Sequence, residues 1–565
     1  MAGRRCVGRG GVAVMKSKAS TGASTEKTSP AAFVWGLSSR QTAIFAAILI
    51  AAVAVYIPSL RNGWVFDDWD KFVNNKFIHS WAFVWKSFIY DSFWFRNPAR
   101  LPQGEYYRPL ENAVFAAYSL LFGTHIAAWH LGKIVLHLIA VVLCFRVAQR
   151  LSGNVAVGLL TAAIFAVMPA HVDPVVWISA IPEPLSTALE LGALLCLIGR
   201  KPGWSGGMLF ALALYGCAQL THESAIAFPL IVAAYVFLIE GGANQQLGKP
   251  RRNAGMTRKR IIAAARVSAP FGVLALVYLC VRVKVLGHAF GTPQHATTLG
   301  FIAAARQVSH YHGLVDYILT LPVVILADLG VLAVPGMAGP AHAVDWVTRV
   351  SPITLVSAGV LLILAAAAWV LIRRSSDRRL YLFCAAWSLL AIAPAMSLHS
   401  IWSLVGDRYL YAPSFGWSLA MALAAVRIAA ASPRARATVG TAMAILLAAY
   451  MATAIRIEPD WHDDLTFFKQ CVAADPGHVD FHCRLALAME KAHDFEGATQ
   501  ELQRAAALDP SDGYVHLKLG QEYMRMGRKQ DFDRELRKAF QLFGNPIPPS
   551  SDAESSSASQ PAATR

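Results

Sequence analysis

Long apolar runs separated by short polar segments set the pattern of the first four-fifths of this chain. Runs such as 43–57, 155–169 and 354–372 are near the roughly 20 residues a helix needs to cross the hydrocarbon core of a bilayer. Inside lipid the backbone must satisfy its own hydrogen bonds, which runs of this length do as helices rather than barrel strands. Spans are predicted near 41–60, 128–150, 155–169, 185–198, 208–220, 225–239, 261–283, 353–372, 380–396, 411–431 and 438–455, about eleven in all. With the amino-terminal tail in the cytoplasm, the loops holding Arg146 and Arg150, Arg200 and Lys201, residues 249–260, 373–379 and 427–436 all fall on that side. This is the distribution the positive-inside rule expects. Segment 313–334 is apolar enough to span but carries Asp316, Asp328 and the Leu321-Pro322 break. Counting it would move Arg373, Arg374, Arg378 and Arg379 outside, so it is predicted as re-entrant or interfacial helix on the non-cytoplasmic face. An odd number of spans then places the carboxyl-terminal region outside.

After Ile457 the pattern becomes charged and amphipathic. Pro476 and Pro510 lie 34 residues apart, and Leu485/Leu519, Ala486/Gly520, Ala505/Ala539 and Leu508/Leu542 keep that offset. A 34-residue helix–turn–helix period is the tetratricopeptide (TPR) signature. Two repeats alone are marginal, so a helix over 461–474 is predicted to cap the stack. The organisation read from the sequence is a disordered cytoplasmic tail over 1–40, a transmembrane domain over 41–457 with a large non-cytoplasmic loop at 61–127, a TPR-like domain over 458–544, and a disordered tail over 545–565. A cleaved leader is not expected, because the first apolar run is both late and long.

Composition agrees with this class. Hydrophobic residues make up 55% and charged residues 15%, which does not fit one soluble core. The net charge of +16 resides in the tail and short loops without interleaved aromatics, which argues against nucleic acid. The eight cysteines form no metal-binding spacing. Those in apolar runs read as small buried hydrophobes; Cys471 and Cys483, on neighbouring predicted helices, read as free thiols. The alanine-rich composition points to a bacterial inner membrane.

The chemistry-bearing residues collect on the non-cytoplasmic side. Asp67 and Asp68 follow the first span, and a carboxylate pair at a dry surface can take a proton from a hydroxyl or hold a divalent cation. The same loop carries Tyr106, Tyr107 and Arg108. His130, Lys133 and His137 share one helical face and are predicted to line a cavity. His171, Asp173 and Glu183 follow the third span, His222 and Glu223 the fifth, and Asp407, Arg408 and Tyr409 the ninth. Each of these, taken alone, also reads as a cap or loop residue.

The order FDDxD, YYRPL, WHxxKxxxH, PAHVDPVVWIS, HESA and DRYLYAPSFG, followed by the repeats, resembles the transmembrane-and-TPR protein O-mannosyltransferases and their bacterial relatives. These belong to the GT-C superfamily of glycosyltransferases. The resemblance covers residues 60–543, nearly all but the tails. It implies a polyprenyl-phosphate sugar donor and inverting transfer to a hydroxyl of a protein or glycan acceptor, on the lumenal or periplasmic face. It places the catalytic acidic pair on Asp67 and Asp68, with Arg408, and Arg108 beside it, on the donor phosphate. His171, Asp173, Glu183, Glu223, Asp407 and Tyr409 complete the expected substrate-binding set. Met168 stands where a His often precedes the Pro, Asp173 replaces a Glu, Lys133 stands at an Asn position and His222 replaces a Lys, which leaves the sugar undetermined. Under this reading the repeats hold a peptide or protein partner, and removing them is expected to leave donor binding intact. Two other readings stay open: a non-catalytic TPR scaffold in the membrane, and a transporter, which Glu190 inside the fourth span would favour.

Overall fold

The computed structural model describes residues 36–96, 106–199, 205–240, 254–287, 313–396 and 404–544. Residues 1–35 of the predicted tail 1–40, the tail 545–565, the basic pair Arg200 and Lys201, and 249–253 of the basic loop 249–260 lie outside the described residues; helices begin at Ser39 and Ala254, inside the predicted tail and loop. The chain divides into two compact units, 1–45 and 46–565. In the first, the described part is a short irregular segment and the start of an apolar helix. The second holds the remainder of that helix and every later element.

Among the described residues every regular element is a helix. Eight helices are long and apolar enough to cross a membrane, and a ninth crossing results if the pair Val155–Ala166 and Pro169–Val176 is one span bent by 60°. The bend falls at Met168-Pro169, where the proline cannot donate to the preceding turn. Gly206–Thr221 and Pro413–Ala429 are shorter apolar helices. The predicted span at 380–396 appears as Arg378–Ile392, 15 residues long. Helix starts are fixed by their caps: the Asn154, Ser205, Ser351 and Ser432 side chains each accept a backbone N–H of the first turn, and Pro352 and Pro433 open their helices. Cys217 and Cys280, expected inside, are exposed on the bundle.

Segment 313–334 differs from expectation. It forms one continuous 20-residue helix, Leu314–Ala333, with Pro322 inside it and no break at Leu321. By length and composition it can cross the membrane. It packs along Pro352–Arg373. The Tyr317 hydroxyl donates to the Met396 carbonyl at 2.6 Å. Toward the other end of the helix, the Tyr450 hydroxyl donates to the Leu332 carbonyl, and Asp328 sits within electrostatic reach of His342 and Asp407.

Two hydrogen bonds join the carboxyl-terminal ends of the first and last candidate spans. The Asn62 amide donates to Glu458 at 2.8 Å, and the Gly63 N–H donates to the His462 carbonyl at 2.8 Å. The ends of Ser39–Arg61 and Pro433–Trp461 therefore lie side by side, the arrangement that an odd number of crossings requires.

Beyond the last span, Asp464–Ala474 packs on Val479–Lys491, which pairs with Phe495–Leu508. Gly513–Arg525 and Lys529–Leu542 form the next hairpin. Cys483, Ala486, Leu502, Val515, Leu519 and Tyr523 fill the core between them. The 34-residue offset extends to a buried polar device. His482 bonds Glu501 at 2.7 Å and the Pro476 carbonyl at 3.0 Å; His516 bonds Glu535 at 2.7 Å and the Pro510 carbonyl at 3.1 Å. Each histidine thereby ties its hairpin to the turn before it. Cys471 and Cys483 are both buried and unbridged.

In a cysteine-free background, Ser511→Cys in the repeats and Ser376→Cys in the loop before Arg378–Ile392 should face opposite sides of the membrane. A membrane-impermeant thiol reagent applied to intact cells should label the first and not the second. Equal labelling contradicts an odd number of crossings between residues 376 and 511.

Candidate active site

The first span ends in a tight turn over Ile57–Arg61, opened by Pro58. The chain then reaches Phe66, whose φ of 56° is a left-handed conformation that bulky residues rarely adopt. The next two side chains separate. Asp68 turns inward and is buried. One of its oxygens accepts the Ser179 N–H at 2.9 Å and the Ser179 hydroxyl at 2.5 Å; the other accepts the Val65 N–H at 3.1 Å. Burial pushes the Asp68 carboxyl up to about 7 even though these three donors pull it down. Asp67 instead lines a cavity of about 160 Å3.

Three cations reach the same cavity, each held by acids. Arg108 donates to both oxygens of Glu223, at 2.7 and 2.6 Å, and lies 3.7 Å from Glu111. Burial opposes the Arg108 charge, but Glu223 and Glu111 more than offset it. Lys71 donates to Glu111 at 2.7 Å. Arg408 is held more loosely, 3.3 Å from Asp173 and 3.2 Å from the Tyr409 hydroxyl, with its guanidinium over the Trp177 and Tyr409 rings. Burial opposes its charge as well, and Tyr409, Asp173 and Glu183 restore it. His222 lies on the wall, pushed down to about 3 by burial and by Arg108, so its imidazole is neutral.

Of the residues singled out in the sequence, Asp67, Arg108, Glu183, His222, Arg408 and Tyr409 line the cavity together. Asp173 and Glu223 stand behind the arginines as their counter-charges. His171 is buried, bonding Ser414 at 2.8 Å among the rings of Phe165 and Tyr411. Asp407 accepts from the Gly339 N–H at 2.9 Å and pairs with His342 at 2.7 Å, so it fastens loop to loop. The stripe predicted to line a cavity, His130, Lys133 and His137, is buried instead. His137 bonds the Tyr411 hydroxyl at 2.8 Å and the Ala166 carbonyl at 3.1 Å. Lys133 lies within electrostatic reach of Asp68, Glu183 and Asp173.

The sequence reading did not single out Lys71, Glu111, Trp177 or Ser179. A signal existed for two of them: Lys71 follows Asp67 by four residues and Glu111 follows Arg108 by three. Among the described residues no group of three or more His, Cys, Asp or Glu side chains is placed to hold a metal ion.

No family model matches the chain. It is similar to the protein O-mannosyl-transferase Tmtc3 of Drosophila melanogaster, 24% identical over 88% of this chain and 58% of that protein. It is also similar to human TMTC3, at 22% over 89% of this chain and 55% of the relative. Human TMTC1 is 29% identical over 32% of this chain and 22% of its own length. The chain thus spans a little over half the length of the Tmtc3 relatives it matches along most of its extent, and these relatives are eukaryotic. Two solved structures are similar at a low level. An Archaeoglobus fulgidus oligosaccharyltransferase has TM-score 0.38 and 14% identity, covering 75% of this chain and 56% of its own. ArnT from Cupriavidus metallidurans bound to undecaprenyl phosphate has TM-score 0.37 and 16% identity, covering 89% and 81%.

The two adjacent aspartates should respond differently to amidation. Asp68→Asn keeps one acceptor oxygen but turns the other into an NH2 group that faces a buried donor, and leaving a buried donor unpaired costs about 1–3 kcal/mol. Its melting temperature in detergent should fall clearly, and Ser179→Ala should lower it in part. Asp67→Asn should melt like the wild type. Equal melting of both aspartate variants contradicts the assignment of Asp68 to the scaffold.

Proposed function

We propose that the chain is a membrane glycosyltransferase. It moves a sugar from a polyprenyl-phosphate donor to a hydroxyl of a protein or glycan acceptor, at the face where the first and last spans end. The observation that carries this reading is one cavity holding Asp67 together with Arg408, Arg108 and Lys71. The motif resemblance and the O-mannosyl-transferase relatives support the same class.

Asp67 is the base. Its neighbour Asp68 has its oxygens committed to Ser179 and Val65, whereas Asp67 faces the cavity. Its carboxylate takes the proton of the acceptor hydroxyl as that oxygen bonds to the anomeric carbon. The bond from the anomeric carbon to the phosphate oxygen breaks, and polyprenyl phosphate leaves with the electron pair. The leaving phosphate needs a fixed cation. Arg408 suits this best, because Arg108 is already bidentate to Glu223. A planar guanidinium can meet two phosphate oxygens at once. Arg108 and Lys71, through Glu111 and Glu223, instead hold the wall in shape.

A second cavity of about 20 Å3, room for about one water, shares Glu183, His222, Arg408 and Tyr409 with the first and continues past Ser186, Thr187 and Glu190 to Ala391, Ala395 and Ala412. The neutral His222 adds a hydrogen-bonding group without adding charge.

With purified full-length protein and polyprenyl-phosphate mannose, Asp67→Asn should lower transfer by roughly 10²–10⁴-fold while a photo-crosslinking lipid-phosphate probe still labels it. Arg408→Lys keeps the charge but loses the fork, so labelling should fall. Wild-type transfer by Asp67→Asn, or undiminished labelling of Arg408→Lys, contradicts these roles.

A further inference from the structure

The left-handed Phe66 is not explained by its own loop. Such a conformation in a bulky residue persists where the surroundings over-determine it, and here part of the surroundings is the repeat domain. The Phe66 N–H donates to Asp464 at 2.8 Å, across nearly four hundred residues of sequence. The Phe66 ring lies under the Arg484 guanidinium at 4.5 Å and edge-on to Phe468 at 5.9 Å, and its other neighbour is the cavity wall Trp177, stacked at 5.6 Å. The second Asp464 oxygen accepts Lys491 Nζ at 2.8 Å, and that ammonium rests over the Trp69 ring at 4.5 Å. Trp461 stacks on Trp177 at 5.7 Å. A single carboxylate of the first repeat-domain helix therefore clamps residues 66 and 69, which bracket Asp67 and Asp68.

Deepening the functional reading above and resting on it, we propose that Asp464 and Arg484 are positioning residues of the active site. They hold Phe66 in its left-handed turn and so aim the Asp67 carboxylate into the cavity. The helices at 464–491 are thus a structural wall of the catalytic loop, not a detachable acceptor-binding appendage. Arg484 also lies within electrostatic reach of Asp67. This changes the expectation for the repeats: their removal should impair the chemical step itself.

The test compares full-length Asp464→Ala, Arg484→Ala and Arg484→Lys with the wild type and with Arg504→Ala, an exposed variant elsewhere in the repeats. Kinetics are measured with polyprenyl-phosphate mannose and a hydroxyl peptide acceptor. Misplacing a reacting group by about 1 Å costs on the order of 10²-fold. Asp464→Ala and Arg484→Ala should therefore lose roughly 10- to 100-fold in kcat with KM for both substrates little changed. Arg484→Lys, which keeps a cation over the ring, should recover part of the rate, and Arg504→Ala should match the wild type. Hydrogen exchange across 64–69 should quicken in Asp464→Ala while exchange in 513–542 stays protected, which separates a loosened loop from an unfolded domain. An active wild type whose kcat survives both alanine variants overturns the proposal. So does a loss confined to KM for the acceptor, which would make these helices an acceptor site. A wild type inert toward polyprenyl-phosphate mannose and toward a panel of other polyprenyl-phosphate hexoses overturns the glycosyltransferase reading, and this inference with it.

Discussion

The buried carboxylate of Asp68 is the constraint on which the rest of the site depends. Ser179 and Val65 fill its oxygens, and this binds the loop after the first span to the segment beyond the bent helix pair. A buried acid without donors is expensive, so the two loops have one low-energy way to meet. Once Asp68 is anchored, its neighbour in the turn, Asp67, is left to line the cavity, which thereby acquires a carboxylate at its wall.

The surrounding charges follow the same logic. Cations and anions brought out of water are tolerated when each finds a partner with good geometry. Lys71, Glu111, Arg108 and Glu223 form one chain of pairs, and Arg408 with Asp173 forms another. The first chain is close to saturated. The second is looser, and that difference in commitment distinguishes a wall-building arginine from one with capacity for a ligand. Aromatic rings at Trp177, Tyr409 and Tyr106 support the guanidinium groups from the side.

What the sequence made legible is local. Apolar length marks the candidate spans, and a 34-residue offset marks the paired helices that follow them, because each depends on neighbours along the chain. The motifs at 67–68, 108, 183, 222–223 and 407–409 do converge at one end of the bundle. What could not be read is which of two adjacent aspartates faces the cavity, since Ser179 decides it from 111 residues away. The Arg108–Glu223 pair, 115 residues apart, and the clamp of Asp464 on Phe66 were hidden for the same reason. The 314–333 helix shows a related limit: Pro322 suggests a break, yet the helix runs through it, and long-range contacts at its two ends determine where it lies. The stripe of His130, Lys133 and His137 was correctly placed on one face, but periodicity cannot tell a packed face from a lined cavity.

At the centre of the proposed mechanism is a single displacement, in which one carboxylate deprotonates the acceptor and the phosphate leaves toward Arg408. Its most direct test is the anomeric configuration of the sugar in the product, determined by NMR against that of the polyprenyl-phosphate donor. Inversion is the expected result. Retention of configuration would require a second displacement through another nucleophile and would contradict the single-displacement mechanism.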